Sequence, residues 1–264
     1  MRPRDPRVTI VVPVRNEARN LEVVLPQLPQ THQVILVDGH SVDDSVEVAT
    51  RLLPDIEVVT QTRIGKGNAL ACGFAVATGD VIVMFDADGS ADPAEISVFV
   101  KALTAGADFA KGTRFAKEGG SDDITAIRRL GNGMLNLITN RLMGTRFTDL
   151  CYGYNAFWRD MLEVIALPST NLPVGSRRQW GDGFEVETLI NCRIASSGSL
   201  ITEVPSFERD RLYGESNLST FRDGTRVLRV IFSEYARDRR TRGRLPRQRS
   251  HSPELEPDRA VNLG

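Results

Sequence analysis

The chain has 264 residues and a formal net charge of −1, enough length for one large α/β domain or two small ones around a substantial core. No stretch approaches the ~18 apolar residues of a spanning helix, and Pro13, Arg15 and Glu17 interrupt any signal-peptide core behind the basic N-terminus. Cys72, Cys151 and Cys192 are odd in number and widely spaced, which argues against a disulfide framework or zinc site and for reduced thiols in a cytoplasmic protein.

In chain order, residues 8–12 form a short β-branched strand ended by Pro13. Asn16-Glu17-Ala18 then opens an amphipathic helix carrying Leu21, Val24, Leu25 and Leu28. Residues 34–37 form a second strand, and Ser41 or Asp43 caps the helix of Val46, Val48, Ala49, Leu52 and Leu53. A third strand at 56–59 precedes an Ala-rich helix over 67–77, closed by Gly79. The apolar run 81–85 reads as a strand buried on both faces. This alternation predicts a mostly parallel sheet with helices on both faces.

The second half is less regular. A helix starts at Pro93, a strand runs through 109–111, and a long helix covers 124–143. A strand at 155–158, a helix at 184–195 and a strand at 200–204 follow. A terminal helix over 220–235 carries Val227, Leu228, Val230, Ile231 and Phe232 on its apolar side. Between Arg222 and Arg249 ten arginines stand against Asp223, Glu234 and Asp238, so a mildly acidic body carries a strongly basic tail. Residues 1–7 are an extension, and beyond about Arg239 the Arg, Pro, Ser and Glu composition predicts a disordered tail over 239–264.

Asp86-Ala87-Asp88 is the most informative segment. It sits at the C-terminal end of the apolar strand, where parallel α/β sheets place their ligands. Two carboxylates spaced two residues apart on extended backbone point the same way. They repel unless a cation lies between them, and a hard divalent ion completed by substrate phosphates suits them. A polar strand end running into the turn at Gly89-Ser90 and Asp92-Pro93 is the plainer alternative. Gly65-Lys66-Gly67 precedes a helix and brings backbone N–H groups and a lysine toward an anion. It is not a Walker A sequence. Asp38 ends a buried strand, where a carboxylate accepts bonds from base or ribose donors; a cap or Asx-turn suits Ser41 and Asp43 better. Glu17 either faces that pocket or favours the helix dipole. Glu185 and Glu187 lie two apart on a helix, so only one points into a site. His32, His40 and His251 have no metal-ligand spacing. Trp158 reads as core, and Trp180 is a stacking candidate.

Pro13-Val14-Arg15-Asn16-Glu17, the run 37–43, Gly65-Lys66-Gly67-Asn68 and Asp86-Ala87-Asp88 occur in this order, each at a strand end or helix start. The succession resembles the nucleotide-sugar half of an inverting family 2 glycosyltransferase with the GT-A fold, a Rossmann-like single α/β domain. Gly112-Thr113-Arg114, the run 180–187 and the run 211–216 resemble its polyprenyl-phosphate (dolichyl-phosphate) mannosyl- and glucosyltransferase branch. The resemblance covers roughly residues 8–235.

It implies a domain over 8–238, with a nucleotide-sugar half (8–92) and an acceptor half (93–238). Pro13, Val14, Asn16, Glu17, Asp38, Lys66, Asp86 and Ala87 would line the pocket of a UDP- or GDP-sugar. Asp86 and Asp88 would hold Mg2+ or Mn2+ against the donor diphosphate. Asp88, Arg211 and Glu187 would serve catalysis, with Asp182 and Glu185 as candidates for a base or sugar contact. Arg114, Arg128, Arg129, Arg211 and Ser216 would bind the acceptor phosphate, arginine being the better bidentate donor. Ser90 stands where the family commonly has glutamine.

The implied acceptor is a polyprenyl phosphate, and the implied location is the cytoplasm, peripheral at the inner face of a membrane through the basic C-terminal region. Nucleic acid is disfavoured because no aromatic interleaving accompanies the charge. Three alternatives remain open. A hydroxyl acceptor would need a general base. A nucleotidyltransferase would carry a Gly-rich basic loop after the first strand, which is missing here. A non-catalytic nucleotide-sugar sensor has no support from lost acids.

Overall fold

The computed structural model describes residues 2–171, 177–214 and 220–244. Ser216 and most of the predicted tail lie outside the described residues. The first half is built as β1 (Val8–Val14), α1 (Ala18–Val24), β2 (Gln33–Asp38), α2 (Ser45–Leu52), β3 (Glu57–Thr60), α3 (Lys66–Val76) and β4 (Val81–Met84). α4 (Ile96–Thr104), β5 (Phe109–Thr113), β6 (Gly120–Ser121), α5 (Ala126–Met143), β7 (Asn155–Trp158) and α6 (Leu162–Ile165) follow. The chain then forms α7 (Val186–Ser197), β8 (Ile201–Pro205), β9 (Phe207–Glu208) and α8 (Thr220–Arg244).

Seven strands pair in the order β3-β2-β1-β4-β7-β5-β8. β1, β2, β3 and β4 are mutually parallel, and β5 is parallel to β8. Alternating side chains serve opposite faces, as the period of a strand requires. Ile10, Val12 and Val14 join one core with Leu21, Val24, Val48 and Phe99, while Val11 joins the other with Leu70, Phe74, Val186 and Ile190. The chain leaves β1 toward β2 on one side and is joined by β4 on the other, which opens a crevice beyond their C-terminal ends.

Three features differ from the sequence reading. β7 is antiparallel to both β4 and β5, an orientation that a four-residue apolar run does not encode. β6 and β9 form a separate two-stranded pair. α8 continues past residue 235 to Arg244, because arginine is a good helix former and Glu234, inside the predicted helix, is buried against Arg193 and Arg237.

The fully buried residues of α5 are polar. Asn132 accepts from the Cys151 N–H at 3.3 Å, Asn136 from Leu150 at 2.8 Å and Asn140 from Phe147 at 2.8 Å. These asparagines, spaced four apart on one helix face, satisfy the backbone of residues 147–151, which has no sheet partner.

Lys111 in β5 is fully buried and donates to the carbonyls of Gly112 and Tyr152 at 2.8 and 2.9 Å. Burial pulls its ammonium down to about 8 from 10.5. The unfolded chain therefore holds a proton that the folded chain has released, and stability rises with pH above about 8. Burial holds the Cys151 and Cys192 thiols up to about 12, which reverses the trend once unfolded thiols ionise near 9. Between pH 8 and 9 the melting temperature of the wild type should gain on that of Lys111→Met, with a slope up to ~1.4 kcal/mol per pH unit. Calorimetry across this window checks it; parallel curves would mean a solvated amine.

Candidate active site

The loops after β1, β2 and β4 converge at the crevice. Asn16 adopts φ 59°, a left-handed conformation asparagine tolerates. Its amide oxygen accepts from Val42 N–H at 2.8 Å, and its own N–H donates to Ser41 Oγ at 3.0 Å. Glu17 and Ala18 N–H groups donate to Ser45 and Asp43. The predicted Asn16 site residue thus locks the first loop to the second. Glu17 lines the cleft; burial raises its pKa against the opposing Asn20 bond, with Asp88 adding to the rise. Asp38 accepts the Ser41 N–H at 3.0 Å through one carboxylate oxygen, and Gly39 and Gln61 beside it line the cleft.

Asp86 and Asp88 emerge together beyond β4, each already paired with a cation. Lys66 Nζ lies 2.7 Å from Asp86 Oδ1 and 2.8 Å from Glu187 Oε1. Burial opposes the charge on Lys66, but Asp86 and Glu187 outweigh it and hold its pKa above the ordinary lysine value. Burial also pushes Glu187 up, with Lys66 pulling it back. Arg211 Nη2 is 3.0 Å from Asp88 Oδ2, while Asp88 Oδ1 accepts the Ser90 N–H and hydroxyl at 3.0 and 2.7 Å. Ser90 therefore orients Asp88. The loop carrying Arg211 lies across the site: Leu212 N–H donates to the Asp88 carbonyl, and the Tyr213 carbonyl accepts from Asn20.

Two clefts meet here and share Lys66, Asp86, Asp88, Phe184 and Arg211 as walls. One, about 590 Å³, is bounded by Pro13, Val14, Asn16, Glu17 and Ala87. The other, about 250 Å³, runs under α5 and α8 past Arg114, Arg128, Leu135, Tyr152 and Val227.

Several predicted residues sit elsewhere than expected. In the Gly65-Lys66-Gly67 turn the Gly67 N–H is taken by the Asp182 carbonyl at 2.9 Å, while Gly65 and Lys66 line the cleft. A Cβ on Gly65 or Gly67 would meet backbone of residues 181–182 at 2.0 Å or less, so these glycines serve close chain approach. Asp182 is fully enclosed and holds Arg63 through two bonds of 2.7 and 2.9 Å, which removes it as a base. Glu185 caps Gly183 N–H and borders neither cleft, so Glu187 is the acid of the pair that faces the site.

Arg114 is not a free cation. Asp149 takes its Nε and Nη2 at 2.7 and 2.9 Å, and Glu208 takes Nη1 at 2.8 Å. Burial opposes its charge, but these carboxylates hold its pKa above the usual arginine value. Arg128 pairs with Asp123 at 3.1 Å on the cavity wall, whereas Arg129 stacks on Phe115 outside it. Trp158 is buried and Trp180 is half-exposed.

Gly153 escaped the sequence reading, and its place between Tyr152 and Tyr154 was the available signal. A Cβ there would lie 3.1 Å from Lys66 Nζ, 3.2 Å from Glu187 Oε1 and 3.4 Å from Asp86 Oδ2. Gly153→Ala should lower kcat/KM about tenfold, since small displacements of reacting groups are costly, without a large change in melting temperature. Equal loss of fold and activity would make Gly153 a packing residue only.

A mostly parallel seven-stranded sheet with paired carboxylates at its switch point is the architecture of GT-A glycosyltransferases. Residues 9–166 match the family described as Glycosyl transferase family 2, and the chain belongs to that family. It is accordingly a glycosyltransferase.

It is 30% identical over 257 residues to a polyprenol monophosphomannose synthase of Mycolicibacterium smegmatis, covering 92% of this chain and 90% of the relative. It is 29% identical to glycosyltransferase AglJ of Haloferax volcanii, covering 90% and 74% respectively. Among solved structures, glucosyl-3-phosphoglycerate synthase of Mycobacterium tuberculosis, in complex with Mn2+, UDP and glucosyl-3-phosphoglycerate, superposes with TM-score 0.65 at 19% identity, covering 88% of this chain and 80% of the other. The same enzyme with Mg2+ and UDP gives TM-score 0.66. These structures establish the fold.

Proposed function

We propose that the protein transfers a hexose, with inversion, from a UDP- or GDP-sugar to a polyprenyl phosphate. The observation that carries this reading is the meeting of two clefts at Asp86 and Asp88, one walled mostly by the 8–92 half and the other mostly by the 93–238 half. The second is bordered by apolar side chains with arginines beside them, which suits an amphipathic lipid phosphate. The relative from M. smegmatis supports that acceptor class.

Asp86 and Asp88 present hard oxygen donors and fit Mg2+ or Mn2+. No cluster of three or more His, Cys, Asp or Glu ligands occurs among the described residues, so donor oxygens would complete the shell. When bound, the metal supplies neutralisation of charge on the departing nucleoside diphosphate. Lys66 and Arg211 each hold one of the two carboxylates in place. Arg211, on its loop, leaves Asp88 to face donor or acceptor phosphate. An acceptor phosphate oxygen forms the bond to C1 as the C1–oxygen bond to the diphosphate breaks on the opposite face. The acceptor is already anionic, so no base is required, and the enclosed Asp182 is not asked to be one. The basic region after Arg222 adds attraction to an anionic membrane surface; among the described residues no helix is long and apolar enough to cross one.

The test is donor turnover on UDP- and GDP-sugars with Mn2+, with and without a short polyprenyl phosphate. Transfer that requires the lipid phosphate supports the reading. Turnover indifferent to it assigns a hydroxyl acceptor and makes Glu187 the base to test.

A further inference from the structure

α5 packs Leu135, Ile138 and Leu142 inward beside its asparagines, yet it also turns a second set of apolar side chains outward. Its buried residues are Asn132, Asn136 and Thr139. Ile127, Leu130, Met134 and Leu137 are between 58% and 70% exposed. These four stand at i, i+3, i+7 and i+10, one continuous stripe of a helix, unlike singly scattered surface apolars. The helix carries Arg128, Arg129 and Arg141 and no acidic residue, and Arg146 follows it. Arg128, Gly131, Asn132 and Leu135 of the same helix border the cavity beside Asp86 and Asp88.

We infer that the Ile127–Leu130–Met134–Leu137 stripe is a docking face for an anionic lipid bilayer, with α5 lying in the plane of the headgroups. An apolar face flanked by arginine is the chemistry of an interfacial helix. A second copy is the poorer occupant, because pairing two such helices brings the exposed Arg129 and Arg141 together and α5 itself carries no carboxylate to meet them, Arg128 being already paired with Asp123. The arrangement puts the cavity mouth at the bilayer, where a lipid-anchored acceptor is presented; this purpose rests on the acceptor reading above. The stripe is distinct from the basic region after Arg222, whose attraction is purely electrostatic and screened by salt.

The experiment sediments the full chain with vesicles of phosphatidylcholine containing one-third phosphatidylglycerol, at low and high salt. The wild type is expected to bind, with a part of the binding surviving high salt. Leu130→Asp combined with Leu137→Asp should weaken partitioning by at least about tenfold, from the loss of two buried side chains and the cost of immersing charge. Both positions are exposed, so the variant's circular dichroism and lipid-free donor hydrolysis should match the wild type. Leu130→Trp emission should shift to the blue on vesicle addition.

Vesicle binding unchanged by the double substitution overturns the inference in favour of the basic tail. A Leu130→Trp signal already blue without vesicles and unmoved by them also overturns it, as would a lipid-free dimer that the double substitution dissociates. Stripe-dependent binding with no glycosylation of any polyprenyl phosphate keeps the docking face and removes the acceptor reading. Transfer to a short polyprenyl phosphate with stripe-independent binding removes the docking face alone.

Discussion

Asp88→Asn is expected to lower the transfer rate by about 10²- to 10³-fold while leaving the fold intact, the scale seen when one preorganised electrostatic group is lost. The amide retains a carbonyl oxygen for the Ser90 N–H and hydroxyl, which hold Asp88 at 3.0 and 2.7 Å. It loses the charge that faces Arg211 at 3.0 Å and that would hold a divalent cation. The loss should fall on kcat, with a weakened dependence on Mn2+ measured by titration and a melting temperature close to that of the wild type. Full activity in the folded variant would remove Asp88 from the proposed metal site. Asp86→Asn should act in the same direction, but it also releases Lys66 toward Glu187, so its melting curve is the less clean control.

For Asp182→Asn the expected effect is on stability. Asp182 and Arg63 have no exposed side-chain surface, and among the described residues the guanidinium of Arg63 otherwise donates to the Ser169 carbonyl at 2.8 Å. Removing one charge of such a pair leaves the other buried and uncompensated, which costs about 3–5 kcal/mol. For a chain of this size that corresponds to a fall in melting temperature of roughly 6–20 °C. The same carboxylate takes the Gln179 N–H at 2.6 Å, and its backbone carbonyl caps the start of α3. The strut thus lies directly behind Lys66. Thermal melts by circular dichroism decide the matter: an unchanged melting temperature with transfer activity lost in the folded variant would restore Asp182 as a base.

The expected α/β class and the GT-A likeness agree with the structure and with the family match because their signals are local. β1 and β4 are written as runs of apolar, mostly β-branched residues, and the paired aspartates follow β4 directly, so strand and ligand site come from one short stretch. The long helix α5 was legible, but not that its asparagines are among the side chains it buries. That depends on the unpaired backbone of residues 147–151, which only the folded chain brings alongside. The antiparallel entry of β7 was likewise not written in its four residues.

The sequence alone determined the succession of elements and the positions of the carboxylates at a strand end, because hydrophobic period and turn chemistry act over a few residues. Only tertiary structure decided which charges are partnered. Arg63 and Asp182 are separated by 119 positions, and Arg114 and Glu208 by 94. Asp182, Glu185 and Glu187 look alike as acids in one run, yet one is a buried strut, one a turn cap and one a wall of the site. That difference arises from burial and from the cation each side chain meets, and neither is a property of neighbours in sequence.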